Sequence, residues 1–376
     1  MTNIGDAQIT RELTNTVQAV KVPAPGIRKY HLTLTPEPEQ SPFSIFENMV
    51  HFLRENNAKV IHQFVFGSRD QFDEGRKVMA QGIGTVDWPL TWIEGDGNNG
   101  TILTGTQVFA VSEDAPLERI ILDGTVVGSI YEDDDLRYCV MGDLRPSDPT
   151  QSRMDQTRDL FNRVQEGLAQ AGMDFYNVFR TWYYCDHILD WYDDFNVVRN
   201  AFFAELDLYN RLVPASTGIG ASNPSGAAMI CDILAVQPKH DQVKLFAVPS
   251  PLQCPALDYK SAFSRAVELD LPNQRRLYIS GTASIEPGGA TAHLDDVEKQ
   301  IDLTMRVVAA ILESRDMSWR STKRSIAYFR DIRNAPLLKK YCLEQGLPDF
   351  PIAIAQAHIC RDDLLFEIEA GAEELK

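Results

Sequence analysis

Near the end of the chain, Glu367 and Glu369 stand two apart in the run LLFEIEA, 364–370. If that run is a strand, side chains alternate, so both carboxyls share one face while Phe366 and Ile368 take the other. Such a pair is either a solvated edge or two acids held in a site. Counter-charges for an anionic small molecule are present. Arg180, Arg199, Arg265, Arg330 and Arg333 each carry a planar guanidinium that donates two parallel hydrogen bonds to a carboxylate. Any one of them is otherwise a solvated charge. Arg180 lies among Phe179, Trp182, Tyr183 and Tyr184, so its charge is either stacked on a ring or paired. Tyr192 and Arg199 are seven apart on a predicted helix, hence two turns apart on one face. Tyr259 opens the run YKSAFSRA and is either a phenol donor or an amphipathic boundary residue.

Other chemistries lack their residues. The six cysteines include no C-x-x-C spacing, and the seven histidines no H-x-H or H-x-x-x-H, so no protein-bound zinc or iron is expected. No G-x-S-x-G nucleophile elbow occurs, and no G-x-x-x-x-G-K-[ST] phosphate loop. The GxG within TGIGAS has neither a third glycine nor a preceding strand. No organic cofactor is implied.

The elements that must position these residues repeat. LYISGTASI (277–285) reads as a strand running into a glycine turn. A helix follows, with Val297, Ile301, Met305, Val308, Ile311 and Leu312 at helical spacing. SIAYFRDI (325–332) is the next strand, then a short helix over 335–345, then strands at 351–359 and 364–370. The middle of the chain has the same order: YCVMGDLRP (138–146), a helix over 154–171 with Leu160, Phe161, Val164 and Leu168 on one face, FYNVFRTWYY (175–184), a helix from Asp190, and strands at 227–236 and 243–248. The N-terminal third is a fainter copy: a helix near 43–57, a strand at 59–67, a helix near 69–80 and a strand at 102–111, with a turn at GDGNNG (95–100). The sequence therefore predicts an α+β fold of tandem units. It divides as a loose tail (1–24), a degenerate first unit (25–130), a second unit (131–250) and a C-terminal unit (251–376). The small residues of 214–226 read as an irregular loop, either plain surface or a closure over a ligand.

The 376 residues are 44% hydrophobic and 24% charged, a globular balance, and no run approaches the eighteen apolar residues of a membrane helix. A formal net charge of −17 repels nucleic acid and anionic membranes. No export signal is expected at the N-terminus, so free thiols in a reducing, cytoplasmic compartment are expected.

The last unit resembles the RidA/YjgF superfamily through YISGTAS, the helix after it, the AYFRD strand and the closing Glu367-Ile368-Glu369-Ala370. Those proteins are trimers with ligand clefts between subunits. Three tandem copies therefore imply a covalent pseudo-trimer, its last two units best formed, with a cleft between the second and third. The longer pattern resembles the chorismatases, the FkbO-type enzymes, through RTWYY (180–184), WYDDFNVVR (191–199), STGIG (216–220), SPLQ (250–253), YKSAFSRA (259–266), SGTASI (280–285) and ICRDDLLFEIE (359–369). The resemblance implies cleavage of chorismate, a dianion with an enol ether, to pyruvate and a hydroxybenzoate or a dihydroxycyclohexadienoate.

Within it, Glu367 is implied as the general acid, with Glu369 as the fallback. Such an acid needs a pKa well above the ordinary ~4.3 of glutamate. Tyr192, Arg199, Tyr259, Arg330, Arg333 and Arg180 are implied as substrate holders. Ala283 and Cys360 occupy the positions implied to select the ring product. Alanine matches the hydrolytic type and cysteine the hydroxybenzoate type. The implied partner is a small anionic substrate, with the chain a monomer or small homo-oligomer. The alternative is a RidA-like enamine/imine hydrolase or a non-catalytic metabolite-binding protein, but the strand IAIAQAH lacks the arginine that holds a substrate carboxylate in RidA proteins.

Overall fold

The computed structural model describes residues 8–37, 39–95, 103–259 and 261–376. Its plan is one six-stranded motif written three times. The first copy runs β1 (Thr10–Leu13), β2 (Val17–Ala24), β3 (Ile27–Leu34), α1 (Ser44–Glu55), β4 (Ala58–Gly67), α2 (Phe72–Ile83), β5 (Leu90–Ile93) and β6 (Leu103–Ser112). The second runs β7 (Leu117–Leu122), β8 (Thr125–Glu132), β9 (Leu136–Leu144), α3 (Arg153–Gln170), β10 (Val178–Cys185), α4 (Tyr192–Glu205), β11 (Ala215–Gly220) and β12 (Met229–Pro238). The third runs β13 (Lys244–Val248), β14 (Ala266–Asp270), β15 (Gln274–Ala283), α5 (Val297–Glu313), β16 (Thr322–Phe329), α6 (Ala335–Glu344), β17 (Ala353–Gln356), the two-residue β18 (His358–Ile359) and β19 (Phe366–Leu375).

In each sheet the last strand is inserted beside the third, giving the orders β1-β2-β3-β6-β4-β5, β7-β8-β9-β12-β10-β11 and β13-β14-β15-β19-β16-β17. One pair per sheet is parallel: β4 with β5, β10 with β11, β16 with β17. β18 leaves its own unit and pairs antiparallel with β11 of the second.

The layers follow from the residue pattern. Leu160, Phe161, Val164 and Leu168 of α3 are buried, as are Ile301, Met305, Val308, Ile311 and Leu312 of α5, each stripe lying against its own sheet. The opposite sheet faces meet one another. Ile61, Val111, Val140, Phe179, Val267 and Leu269, drawn from all three sheets, share one cluster. Helices are outside and sheets inside.

One register feature recurs. Each of β4, β10 and β16 has a bulge near its start, after Val60, Val178 and Thr322. A bulge re-aims the side chain that follows it. Those side chains are His62, Arg180 and Arg324, and each reaches the last strand of the next unit in a cycle. His62 Nε2 lies 2.7 Å from Asp232 Oδ2, Arg180 donates to Glu369 at 2.7 Å, and Arg324 donates to Gln107 at 3.1 Å.

Several boundaries differ from the sequence reading. β1 and β2 occupy residues read as a tail. β1 is an exposed edge strand of polar residues, so it lacks the apolar alternation that signals a strand. Within 214–226, read as an irregular loop, Ala215–Gly220 forms β11, while 221–226 is irregular. Small residues there permit close approach: Tyr192 packs beside Gly218, and a side chain at 220 would overlap Ile188 and His358. Residues 175–177 form a short 3-10 turn ahead of β10. Beyond Gly95, the turn expected at 95–100 lies outside the described residues.

Candidate active site

A cavity of about 440 Å³ opens between the second and third sheets. Its walls come from four places: the start of α4, the segment after the 3-10 turn Ala256–Tyr259, the end of β15, and the stretch from β18 into β19. Glu367 lies within it.

β19 places Glu367 opposite Ala283 of β15 and Tyr328 of β16. Phe366 and Ile368 enter the core beneath α5, and Glu367 and Glu369 face the second unit. The two acids have opposite surroundings. Glu369 is 1% exposed and saturated with donors: Arg180 Nη2 at 2.7 Å, Arg324 Nη2 at 2.8 Å, Trp182 Nε1 at 2.8 Å and the Thr217 hydroxyl at 2.5 Å. A carboxylate whose oxygens are filled by these donors has none left to present to a substrate, which removes it as the alternative acid. Glu367 is 5% exposed, and no hydrogen bond within the described residues supports its charge. Burial, reinforced by the charge of Glu369 and only partly opposed by Arg180, pushes its pKa up to about 8. Its carboxyl rests on Gly281, where any side chain would overlap Oε1. A glycine here allows the acid to lie flat against β15.

Tyr192, Tyr259, Ala283 and Cys360 all line the cavity. The pairing of β18 with β11 carries Cys360 across to α4, where the Tyr192 hydroxyl interacts with its thiol and with the Ser261 hydroxyl. Burial, together with the nearby Glu367, raises the Cys360 thiol to about 12, so it is neutral and no nucleophile. Ala283 is fixed from behind. Gln253, in the SPLQ run, donates to the carbonyls of Ala283 (2.9 Å) and Ile285 (3.1 Å).

The arginines divide into two groups. Arg199 is 2% exposed and has no carboxylate partner among the described residues. It donates to Asn196 Oδ1 at 2.6 Å, stacks over Phe195 at 5.0 Å, and leaves its Nε unpaired. Arg265 is 4% exposed and donates only to the Cys254 carbonyl, at 3.0 and 2.9 Å. Arg361 donates to the Gly289 carbonyl at 2.7 Å. The guanidiniums of Arg265 and Arg361 each lie 5.5 Å from the Tyr259 ring, so Tyr259 is a platform for two cations as well as a phenol. A buried guanidinium without an acid is costly unless an anion visits it.

Of the five arginines singled out in the sequence, Arg265 lines the cavity, Arg199 lies behind Asn196, which does, and the other three do not join it. Arg180 is both stacked on Trp182 (4.3 Å) and paired with Glu369, behind the acid. Arg330 pairs with Asp362 at 2.6 Å, and Arg333 with Asp331. Both lie around a separate shallow depression at the end of β16, because the chain turns outward there. Asn196 and Arg361 also line the cavity, although the sequence pattern did not point to them. Asn196 sits four residues after Tyr192, one helical turn on, a spacing visible in the sequence. No three ligand-type side chains among the described residues converge to hold a metal ion, and no helix is long and apolar enough to cross a membrane.

No family model matches the chain. A protein of Streptomyces hygroscopicus named 3-hydroxybenzoate synthase is 28% identical over 251 residues, 59% of this chain and 70% of that one. A Streptomyces hygroscopicus chorismatase is 28% identical over 213 residues, 50% of this chain and 60% of that one. A crystal structure of a chorismatase matches 92% of this chain and 98% of its own with a TM-score of 0.65 at 21% identity. The chain therefore has that fold, α+β with three tandem mixed sheets.

Proposed function

We propose that this chain cleaves the enol ether of chorismate, releasing pyruvate and a cyclic hydroxy acid, with Glu367 as general acid. One observation carries the reading: a buried carboxyl that keeps its proton near neutrality lies in a cavity lined by Arg265 and Arg361, which lack carboxylate partners among the described residues. A dianion with an acid-labile vinyl ether fits both halves of that description.

Arg265 and Arg361, stacked on Tyr259, are placed to hold one substrate carboxylate. Arg199, reaching the cavity through Asn196, supplies the second positive region, and the Tyr192 hydroxyl bonds to a substrate oxygen. Glu367 then gives its proton to the methylene carbon of the enolpyruvyl group. The resulting oxocarbenium ion forms beside the carboxylate just created, which stabilises it. Water adds to this cation and gives its proton back to Glu367, and the hemiketal then collapses, breaking the ether bond as the ring oxygen takes up a proton. In the other branch the neighbouring ring hydroxyl displaces pyruvate from the ring carbon, and loss of a ring proton aromatises the product, Glu367 recovering its proton. Ala283 and Cys360 both line the cavity, which supports the role the resemblance implies for them, selection between the dihydrodiol acid and the hydroxybenzoate.

The cavity is built from the second and third units of the same chain, which fits a monomer or a small homo-oligomer alike. Its six cysteines are unpaired, which suits the reducing cytoplasm. The imine-hydrolase alternative is weakened because 351–359 carries no arginine to hold a carboxylate.

The test is pyruvate release from chorismate by purified protein, with Glu367→Gln alongside and the ring product weighed by mass spectrometry. We expect pyruvate from the wild type and none above background from the variant. No pyruvate from the wild type refutes the assignment.

A further inference from the structure

Glu369 does more than bridge two units. It stands two residues from the acid on the same strand face, and the same hydroxyl that binds it also binds the acid's seat. Thr217 Oγ1 donates to Glu369 Oε2 at 2.5 Å and accepts from Arg180 at 2.5 Å and from the Gly281 N–H at 3.0 Å. Gly281 is the residue on which the Glu367 carboxyl rests. A continuous path therefore runs from the buried ion cluster, through one hydroxyl, to the backbone that places the acid.

The threefold repetition supplies an internal comparison. Counting from the bulges, Asp232 and Gln107 occupy the register position of Glu369 in the other two sheets. Two residues earlier, where the third sheet has Glu367, the others have Ile230 and Gly105. The buried polar group at this register is thus common to all three sheets, while the acid beside it is unique to one.

The groups facing Glu367 are few. Glu369 lies on its own strand, Arg180 on β10, Tyr328 across on β16, Tyr192 on α4 and Cys360 after β18, with Arg265 and Arg361 elsewhere on the cavity wall. The phenols and the thiol are neutral through the physiological range, because burial raises all three. Glu369 is the buried carboxylate among them, and Asp193, at the start of α4, is an exposed acid on the cavity wall.

We propose that Glu369, held as a carboxylate by Arg180, Arg324, Trp182 and Thr217, is a positioning residue that keeps the proton on Glu367 and seats its carboxyl against Gly281. This rests on Glu367 being the acid. A neighbouring negative charge disfavours a second one, so removing it must let Glu367 ionise at lower pH. Removing a cation from the cluster instead leaves Glu369 less compensated and must move Glu367 the other way.

The test has two readouts. The protonated carboxyl stretch of Glu367, identified by its loss in Glu367→Gln, is titrated by infrared difference spectroscopy, and the pH profile of kcat/KM for pyruvate release is recorded beside it. In Glu369→Gln we expect the band midpoint and the alkaline limb to fall together by about one unit or more. In Arg324→Gln, at a partly exposed site more tolerant of change, both should rise. Asp232→Asn, at the matching register of the second sheet, should move neither. Opposite signs cannot come from loosened packing. An unmoved midpoint in a folded Glu369→Gln, or equal shifts in Asp232→Asn, overturns the proposal. Should Glu369→Gln not fold, the sign of the Arg324→Gln shift decides it, a fall or no change refuting it. A wild type that titrates as described yet releases no pyruvate refutes the substrate reading, and the shifts of the Glu367 band alone then decide the role of Glu369.

Discussion

Replacing Glu367 by glutamine should do two things at once, and the second can be measured without substrate. Glutamine keeps the shape and removes the titration. In the wild type the folded pKa of Glu367, about 8, lies above the unfolded value of 4.5. The folded protein therefore binds this proton more tightly than the unfolded chain. The resulting stabilisation is complete below pH 4.5 and is lost as pH rises through about 8. Between pH 5 and pH 9 the loss is roughly 3–5 kcal/mol, at about 1.36 kcal/mol per pKa unit. Unfolding 376 residues at about 2.1 cal/mol/K each converts this to about 4–6 °C of Tm. Wild type and Glu367→Gln are melted side by side at pH 5 and pH 9. The Tm of the wild type should fall by that much more than the variant's, because every other titrating group is common to both. Activity should track the same proton, with kcat/KM of the wild type declining above about pH 8. Parallel melting curves would mean that Glu367 is ionised at neutrality, and the general-acid reasoning would collapse with them.

Three further outcomes are expected. Arg265→Ala should raise KM for chorismate by about 10–150-fold, since each charge-assisted pair contributes roughly 1.5–3 kcal/mol, whereas Arg330→Ala and Arg333→Ala should leave kcat/KM within about twofold. Gly281→Ala puts a methyl where the Glu367 carboxyl lies. It should lower kcat by about 100-fold or more while the circular dichroism spectrum is retained; wild-type kcat would show that the acid acts from elsewhere. Glu373→Gln leaves the buried Lys323 and Arg276 without their shared carboxylate, and denaturant unfolding should show a loss of about 3–5 kcal/mol.

Much of this was legible in residue order, and the failures have identifiable causes. Alternation in LLFEIEA put Glu367 and Glu369 on one face. It could not tell which acid would be saturated with donors, because Arg180, Trp182 and Thr217 come from another unit. Arg180 among aromatics read as stacked or paired, and it is both. Arg330 and Arg333 misled because they end a strand of the right unit, and nothing local says on which side a chain leaves a sheet. The strand β11 was hidden by the small residues that let it pack closely, since glycine and serine carry the signature of a turn. Helices with apolar stripes, such as α3 and α5, were read with little error because their burial is one-sided.

The cycle of three side chains, His62, Arg180 and Arg324, has a consequence for how such a protein can vary. In an assembly of three identical subunits, every substitution appears at all three interfaces, so none can change its trade alone. Joined in one chain, the three seams are independent characters. The first is closed: His62, Thr91 and Asp232 fill the space beside Gly142, where even a methyl would collide with the imidazole. Another is joined by amide chemistry at Gln107. At the register of Glu367 the other two seams carry Ile230 and Gly105, so one seam alone presents an acid there. A chain built this way should turn over one equivalent of ligand rather than three, and lesions in its other two seams should be inherited as defects of stability, separable from defects of turnover.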